Sequence, residues 1–230
     1  SSAAAFLAPV RGRNNLTVLT QTLTERVLIE RNRAVGVQVR TRSASPTRIE
    51  AGRVVLSGGT INSPQLLLLS GIGPADHLRD IGIPVVRDLP AVGENLQDHL
   101  DICTLNAATQ PVTYDQVNVV LAGLQFWLTR QGVGTSNAAE GGGFMRSRYA
   151  TDARCDLQFH FVPALLDDHG RGRLPGYGYT LHACVLHPRS RGRIRLRSAD
   201  PAAHPLIQPN YLSDADGFDL QRMCEAARVS

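Results

Sequence analysis

The sequence contains no lysine: all 24 basic residues are arginine, set against 20 acidic residues for a formal net charge of +4. Chemistry through a lysine Schiff base is therefore excluded within these 230 residues. Exclusive arginine usage reads as coding bias toward a G+C-rich genome and not as a nucleic-acid surface. The arginines are scattered, and the clusters at Arg171-Gly172-Arg173 and from Arg189 to Arg197 carry no interleaved aromatic residues. A nucleic-acid platform needs such stacking residues, so no nucleic-acid partner is expected.

Other absences narrow the chemistry further. Cys103, Cys155, Cys184 and Cys224 form no C-x-x-C pair and read as free thiols. The histidines show no metal-ligand spacing. His182 and His187 lie five apart on an expected strand, which turns them to opposite faces, and Asp167-Asp168-His169 reads as a polar loop. No metal site is expected on that pattern, because tetrahedral sites need several convergent ligands. No G-x-S-x-G occurs, so the hydrolase elbow is unsupported. The longest apolar stretches, Leu66 to Leu69 and the interrupted Val117 to Leu128, fall short of the ~20 residues that cross a bilayer. The expected location is cytoplasmic or membrane-peripheral, in a bacterium. G-x-G-x-x-G is also missing, and with it the tight turn that sets a helix N-terminus on a dinucleotide pyrophosphate.

What is present is a globular interior, with 43% hydrophobic residues, enough for one large domain or two modest ones. Strands are expected over Thr24 to Glu30 and Ala34 to Arg40, turning at Arg31-Asn32-Arg33, with a polar loop over Ser43 to Thr47. This is a small antiparallel meander. Arg53-Val54-Val55-Leu56 has the short β-branched composition of a strand covered on both faces in a parallel sheet. Gly58-Gly59 then lets the chain turn away with bare peptide groups exposed to a ligand. Ser63 and Pro64 read as N-cap and first position of a helix reaching Ser70. A second helix is expected from Pro74 to Ile81, followed by a connector over Ile83 to Gly93.

Beyond His99 the pattern predicts a helix from about Val117 to Arg130. Its Val117, Val120, Leu121, Leu124 and Leu128 recur at helical spacing, which reads as a core-facing stripe. Strands are expected near Gly142 to Met145, Cys155 to Val162, Tyr177 to His187 and Arg193 to Arg197. A last helix is expected from near Asp214, capped by Ser213 or Asp214. The expected class is α/β, turning to α+β in the second part.

The run Gly59-Thr60-Ile61-Asn62-Ser63-Pro64-Gln65-Leu66-Leu67-Leu68-Leu69-Ser70-Gly71-Ile72-Gly73 resembles the second signature of the glucose-methanol-choline flavin oxidoreductases along its whole length. Gly82-Ile83-Pro84-Val85 and Val92-Gly93-Glu94-Asn95-Leu96-Gln97-Asp98-His99 are similar to the family's next conserved segment. So are Asn15-Leu16-Thr17-Val18 and Ala34-Val35-Gly36-Val37 to its hairpin beside the adenine. Ala139-Glu140-Gly141-Gly142-Gly143-Phe144, Leu157-Gln158-Phe159-His160-Phe161, Ser190-Arg191-Gly192 and Ser198-Ala199-Asp200-Pro201 resemble its substrate domain.

The resemblance implies an incomplete FAD-binding, Rossmann-like domain over residues 1–100 and part of an antiparallel-sheet substrate domain over 101–230. FAD is the implied cofactor. An alcohol is the implied substrate, primary alcohols being preferred over choline, with hydride passing to the flavin and electrons to an acceptor that is not identified. Thr24 stands where the family makes backbone contacts to adenine. Ser57, Gly58 and Gly59 match the turn beside the adenosine, with Gly58 replacing a more usual Ala, and Ser63 opens the helix after it. Asn95, Asp98 and His99 match a segment near the flavin and read equally as capping and loop hydrogen bonds. Glu140 matches a position near the substrate's head group, and His160 points toward either the pocket or the core. The catalytic His and the G-x-G-x-x-G of the family match nothing here, so an internal piece of a longer enzyme, inactive alone and prone to self-association, is the expectation. A choline dehydrogenase or a redox-silent binding module are the alternatives.

Overall fold

The computed structural model describes residues 1–42, 45–111, 113–114, 117–167 and 171–230. In chain order its strands are β1 (Thr22–Glu30), β2 (Arg33–Thr41), β3 (Thr47–Glu50), β4 (Ile72–Gly73), β5 (Arg87–Asp88), β6 (Asp101–Ala108) and β7 (Gly141–Met145). They continue with β8 (Leu157–Val162), β9 (Leu166–Asp167), β10 (Gly172–Arg173), β11 (Tyr177–Val185), β12 (Arg193–Arg195) and β13 (Leu206–Gln208). The α-helices are α1 (Gly59–Leu69), α2 (Ala75–Asp80), α3 (Val119–Thr129) and α4 (Phe218–Val229). These form two compact units, one of Ser1–Glu94 with Arg193–Gln208, the other of Asn95–Gly192 with Pro209–Ser230.

In the first unit β1, β2 and β3 make the expected meander. Arg31 and Asn32 take positive φ of 50° and 61° between the paired Glu30 and Arg33, a two-residue turn whose twist suits adjoining antiparallel strands. Helix α1 starts at Gly59, four residues ahead of the expected Ser63 cap. Ser63 lies inside it and its Oγ accepts the Gly58 amide at 2.9 Å, while Pro64 sits in the helix interior. Ser70 ends α1 and fastens it to the meander: its Oγ accepts the Val27 amide at 2.8 Å and donates to the Leu66 carbonyl at 2.5 Å. Leu68 and Leu78, both 0% exposed, centre a core with Ile83, Val92 and Leu196.

Leu196 comes from far along the chain. Its segment pairs β12 with β13, so the strand expected at Arg193 to Arg197 joins this unit and not the second sheet. His77 Nε2 accepts the Leu196 amide at 3.1 Å, and burial followed by the Arg195 charge holds the ring's pKa below its ordinary value. The parallel sheet strand expected at Arg53 to Leu56 is absent. This stretch pairs with no strand and leaves Val55 76% exposed; the one parallel pair among the described residues is β4 with β5.

The second unit is built on the antiparallel sheet β6-β11-β8-β7. Strand β6 was not anticipated: its alternation is clean, but Asp101, Asn106 and Ala107 give it a poor strand composition. Helix α4 covers one face, packing Met223 and Ala226 against Leu157, Ala183 and Val185. It begins at Phe218, later than expected, yet Asp214 serves its first turn by accepting the Phe218 and Asp219 amides at 2.5 and 3.3 Å. Helix α3 is capped by Asn118, whose Oδ1 accepts two amides at 3.1 Å. The core-facing stripe expected on it is not buried: Val120 is 78%, Leu121 63% and Leu128 64% exposed. Among the described residues α3 packs mainly against the short 3-10 turn Val133–Thr135, which is too small to cover it. The expected loop at 168–169 and the residues 43–44 of the other lie outside the described residues.

Candidate functional site

A groove of about 460 Å³ opens in the first unit. Its walls are Thr22 to Thr24 and Val37 of the meander, the segment Val54 to Gly58, and Asn62, Ser63, Gln65, Leu66 and Leu69 of α1, with Pro201. A volume of this size lies in the range that holds small-molecule ligands, roughly 300–1,000 Å³. Thr24, Ser57, Gly58 and Ser63, all named from the sequence, meet in this one groove. Gly59 adjoins it as the first helical residue with φ +78°, and a Cβ built there meets nothing within 4 Å. At Gly58 a Cβ would come to 3.0 Å of Asn62 Cβ and 3.2 Å of the Ser63 amide. The turn is therefore held open by glycine for two reasons, helix packing at Gly58 and backbone angle at Gly59.

The remaining sequence-named residues lie in the second unit. Asn95 has φ 62°; Asp98 and His99 are exposed. Asp98 accepts the His99 amide at 2.9 Å and the Tyr211 hydroxyl. That hydroxyl's pKa is pushed up to about 12, first by this hydrogen bond and then by burial.

Glu140 and His160 share the sheet. The Glu140 amide donates to the Phe161 carbonyl at 3.1 Å, and Gly142 pairs with His160. By alternation Glu140 and His160 lie on the face opposite α4. Sequence reasoning missed the partner of Glu140: the Tyr114 hydroxyl donates to it and, followed by Ser136, draws the Glu140 carboxyl below its ordinary pKa. Tyr114→Phe removes that donor, so the Glu140 titration midpoint rises toward the ordinary carboxylate value. Carbon-13 NMR titration of the carboxyl reads the change, and an unmoved midpoint overturns the assignment.

The same face holds a cluster that the sequence spacing did not disclose. Cys103 pairs directly with His182, and Asp101 stands two residues along β6. His182 Nδ1 lies 2.6 Å from Asp101 Oδ2 and 3.1 Å from Cys103 Sγ. Burial, then the Asp101 carboxylate, pushes the Cys103 thiol up to about 11. Among the described residues, these three are the one group of His, Cys and carboxylate ligands close enough to share a cation.

Sequence models described as GMC oxidoreductase match residues 1–101 and 188–230. The chain belongs to the GMC oxidoreductase family. FAD is the cofactor that accompanies this family fold, and the open glycine turn with its groove is compatible with a nucleotide group. The chain is 47% identical over 236 residues to alcohol dehydrogenase [acceptor] of Pseudomonas putida, covering 100% of this chain and 42% of that protein. It is 44% identical over 228 residues to the mitochondrial choline dehydrogenase of Homo sapiens, covering 97% and 38%. Among solved structures, this GMC oxidoreductase chain is similar to pyridoxine 4-oxidase from Mesorbium loti, with TM-score 0.81, 29% identity and coverage of 100% of this chain and 42% of the other. Formate oxidase gives TM-score 0.85 at 25% identity, covering 96% and 44%. The chain thus spans about two fifths of its relatives' length. Among the described residues no helix is long and apolar enough to cross a membrane.

Proposed function

We propose that this chain supplies the adenosine side of an FAD site and part of the substrate wall in an enzyme that oxidises the CH–OH group of a primary alcohol. The first unit is then an incomplete Rossmann-like FAD domain and the second part of a substrate domain. The groove at the glycine turn carries the reading, with the similarity to the Pseudomonas putida alcohol dehydrogenase in support. Thr24 offers main-chain groups, and Ser57, Gly58, Gly59 and Ser63 shape the pocket for the adenosine. By the family resemblance, Asn95, Asp98 and His99 are assigned to the flavin and Glu140 and His160 to the substrate. Bound FAD supplies the hydride acceptor; the chain's residues bind and orient.

The test is calorimetric titration of the 230-residue chain with AMP and with FAD. Both are expected to bind, and Gly59→Val, which puts a branched side chain at φ +78° on the groove's rim, is expected to weaken AMP by about tenfold or more. Circular dichroism checks that the variant is folded. No AMP binding by the parent chain, or equal affinity in the folded variant, overturns the reading.

A choline dehydrogenase is the second reading, favoured by one observation. The Tyr114 hydroxyl donates to Glu140 and lowers its pKa, and a carboxylate beside an aromatic ring suits a quaternary ammonium group. The human choline dehydrogenase match supports it.

A further inference from the structure

We propose that Asp101, Cys103 and His182 form a binding site for a borderline-soft divalent cation, zinc being the ion whose ligand preferences the set fits best. The three offer a carboxylate oxygen, a thiol sulfur and an imidazole nitrogen, all within 4.8 Å of one another. Two neighbouring antiparallel strands carry them. Cys103 and His182 are direct register partners, and Asp101 shares their face because it lies two residues from Cys103. β11 is paired on its other side with β8, which fixes the backbone under His182 before any ion arrives.

The distances discriminate between two kinds of chemistry. A nucleophilic triad needs the acid on one ring nitrogen and the nucleophile on the other. Here both address the same nitrogen: Nδ1 is 2.6 Å from Asp101 Oδ2 and 3.1 Å from Cys103 Sγ, whereas Nε2 is 4.0 Å from the sulfur. Convergence of three donors on one point is the geometry of a shared ion. In a zinc tetrahedron with bonds of about 2.0–2.3 Å, ligand atoms stand roughly 3.3–3.6 Å apart. The Cys103–His182 separation of 3.1 Å and the Cys103–Asp101 separation of 3.7 Å are close to that already. Only the His182–Asp101 edge, closed by a hydrogen bond at 2.6 Å, must open, and the ion takes the place of the bridging proton.

Charge balances as well. The Cys103 thiol gives up its proton to solvent as the sulfur–metal bond forms, the proton that bridged Nδ1 and Asp101 passes through solvent to Nε2 of the neutral His182 ring and frees the Nδ1 lone pair for the ion, and Asp101 is left as a carboxylate. Thiolate and carboxylate together neutralise a 2+ ion. Asp101 and Cys103 are exposed, so the fourth coordination position faces solvent.

Cobalt(II) titration of the 230-residue chain tests this, because a cobalt–thiolate bond gives a charge-transfer band in the near ultraviolet. The parent chain is expected to develop that band with one equivalent of cobalt, to lose it on adding zinc, and to release one proton per zinc bound. Cys103→Ser is expected to abolish the band, and His182→Ala and Asp101→Asn to weaken zinc by about tenfold or more. Cys224→Ser is expected to keep the band. Zinc should raise the unfolding temperature of the parent chain by clearly more than that of Cys103→Ser or His182→Ala at the same zinc concentration, with circular dichroism confirming that both variants are folded. A parent chain with no thiolate band, a band that survives in Cys103→Ser, or equal zinc stabilisation of parent and variants overturns the site.

Discussion

Asp219→Ala is expected to lower the stability of the second unit by about 3–5 kcal/mol, the cost of leaving a buried cation without its partner. Asp219 is 3% and Arg222 2% exposed, and their side chains meet at 2.7 Å. The same carboxylate accepts the Arg189 amide at 2.9 Å, the Ser190 amide at 2.8 Å and the Ser190 hydroxyl at 2.6 Å, so one side chain ties α4 to the loop after β11. Truncation leaves Arg222 with the Leu186 and His187 carbonyls and an Asp156 oxygen 3.9 Å away, none of which matches the lost contact. Urea denaturation followed by circular dichroism measures the loss.

The pH dependence of this hub has a definite sign. Burial alone would raise the Asp219 carboxyl, but the bonds from Ser190, Arg189 and Arg222 outweigh it and hold the folded-state pKa below the ordinary value. A depressed carboxyl stabilises the fold above its unfolded pKa of about 4, and that contribution disappears as pH falls through the folded-state value. The parent chain should therefore lose more stability between pH 5 and pH 3 than Asp219→Asn does; equal losses would show that Asp219 is not the titrating group.

Leu68→Ala is the other large change, expected to cost about 2–5 kcal/mol in the first unit. Leu68 is completely buried among Leu78, Ile83, Val92 and Leu196, and a Cβ at Gly73 would already collide with its Cδ2. Little room exists for the surroundings to close over a deletion there. Leu66 and Leu69 on the same helix line the groove, so AMP affinity should fall along with stability. Val55→Ala serves as the contrast: at 76% exposure it is expected to change stability by less than about 0.5 kcal/mol.

The sequence revealed those features whose physics is local. The hairpin of β1 and β2 follows from alternation and from the Arg31-Asn32 turn, and the groove follows from a glycine pair set before a leucine-rich helix. Where a neighbour decides the outcome, residue types misled. Val54-Val55-Leu56 has strand composition, but a strand exists only where another is available to pair with it. Val120, Leu121, Leu124 and Leu128 do recur on a helix, but periodicity cannot say whether anything packs over that helix. Ser63 and Pro64 have the chemistry of a helix start, yet Gly58 and Gly59 permit the helix to begin sooner. The Asp101, Cys103 and His182 cluster depends on the register between β6 and β11, and that register is written in no local motif.

The hairpin of β12 and β13 has a consequence for biosynthesis. Leu196 completes the hydrophobic centre around Leu68 and Leu78, and His77 binds the amide of that same leucine. During synthesis the first unit therefore lacks one of its own interior side chains until residues 95–192, which belong to the other unit, have been made, and a nascent chain arrested before Arg193 is expected to be cut faster by protease around α1 than the full chain.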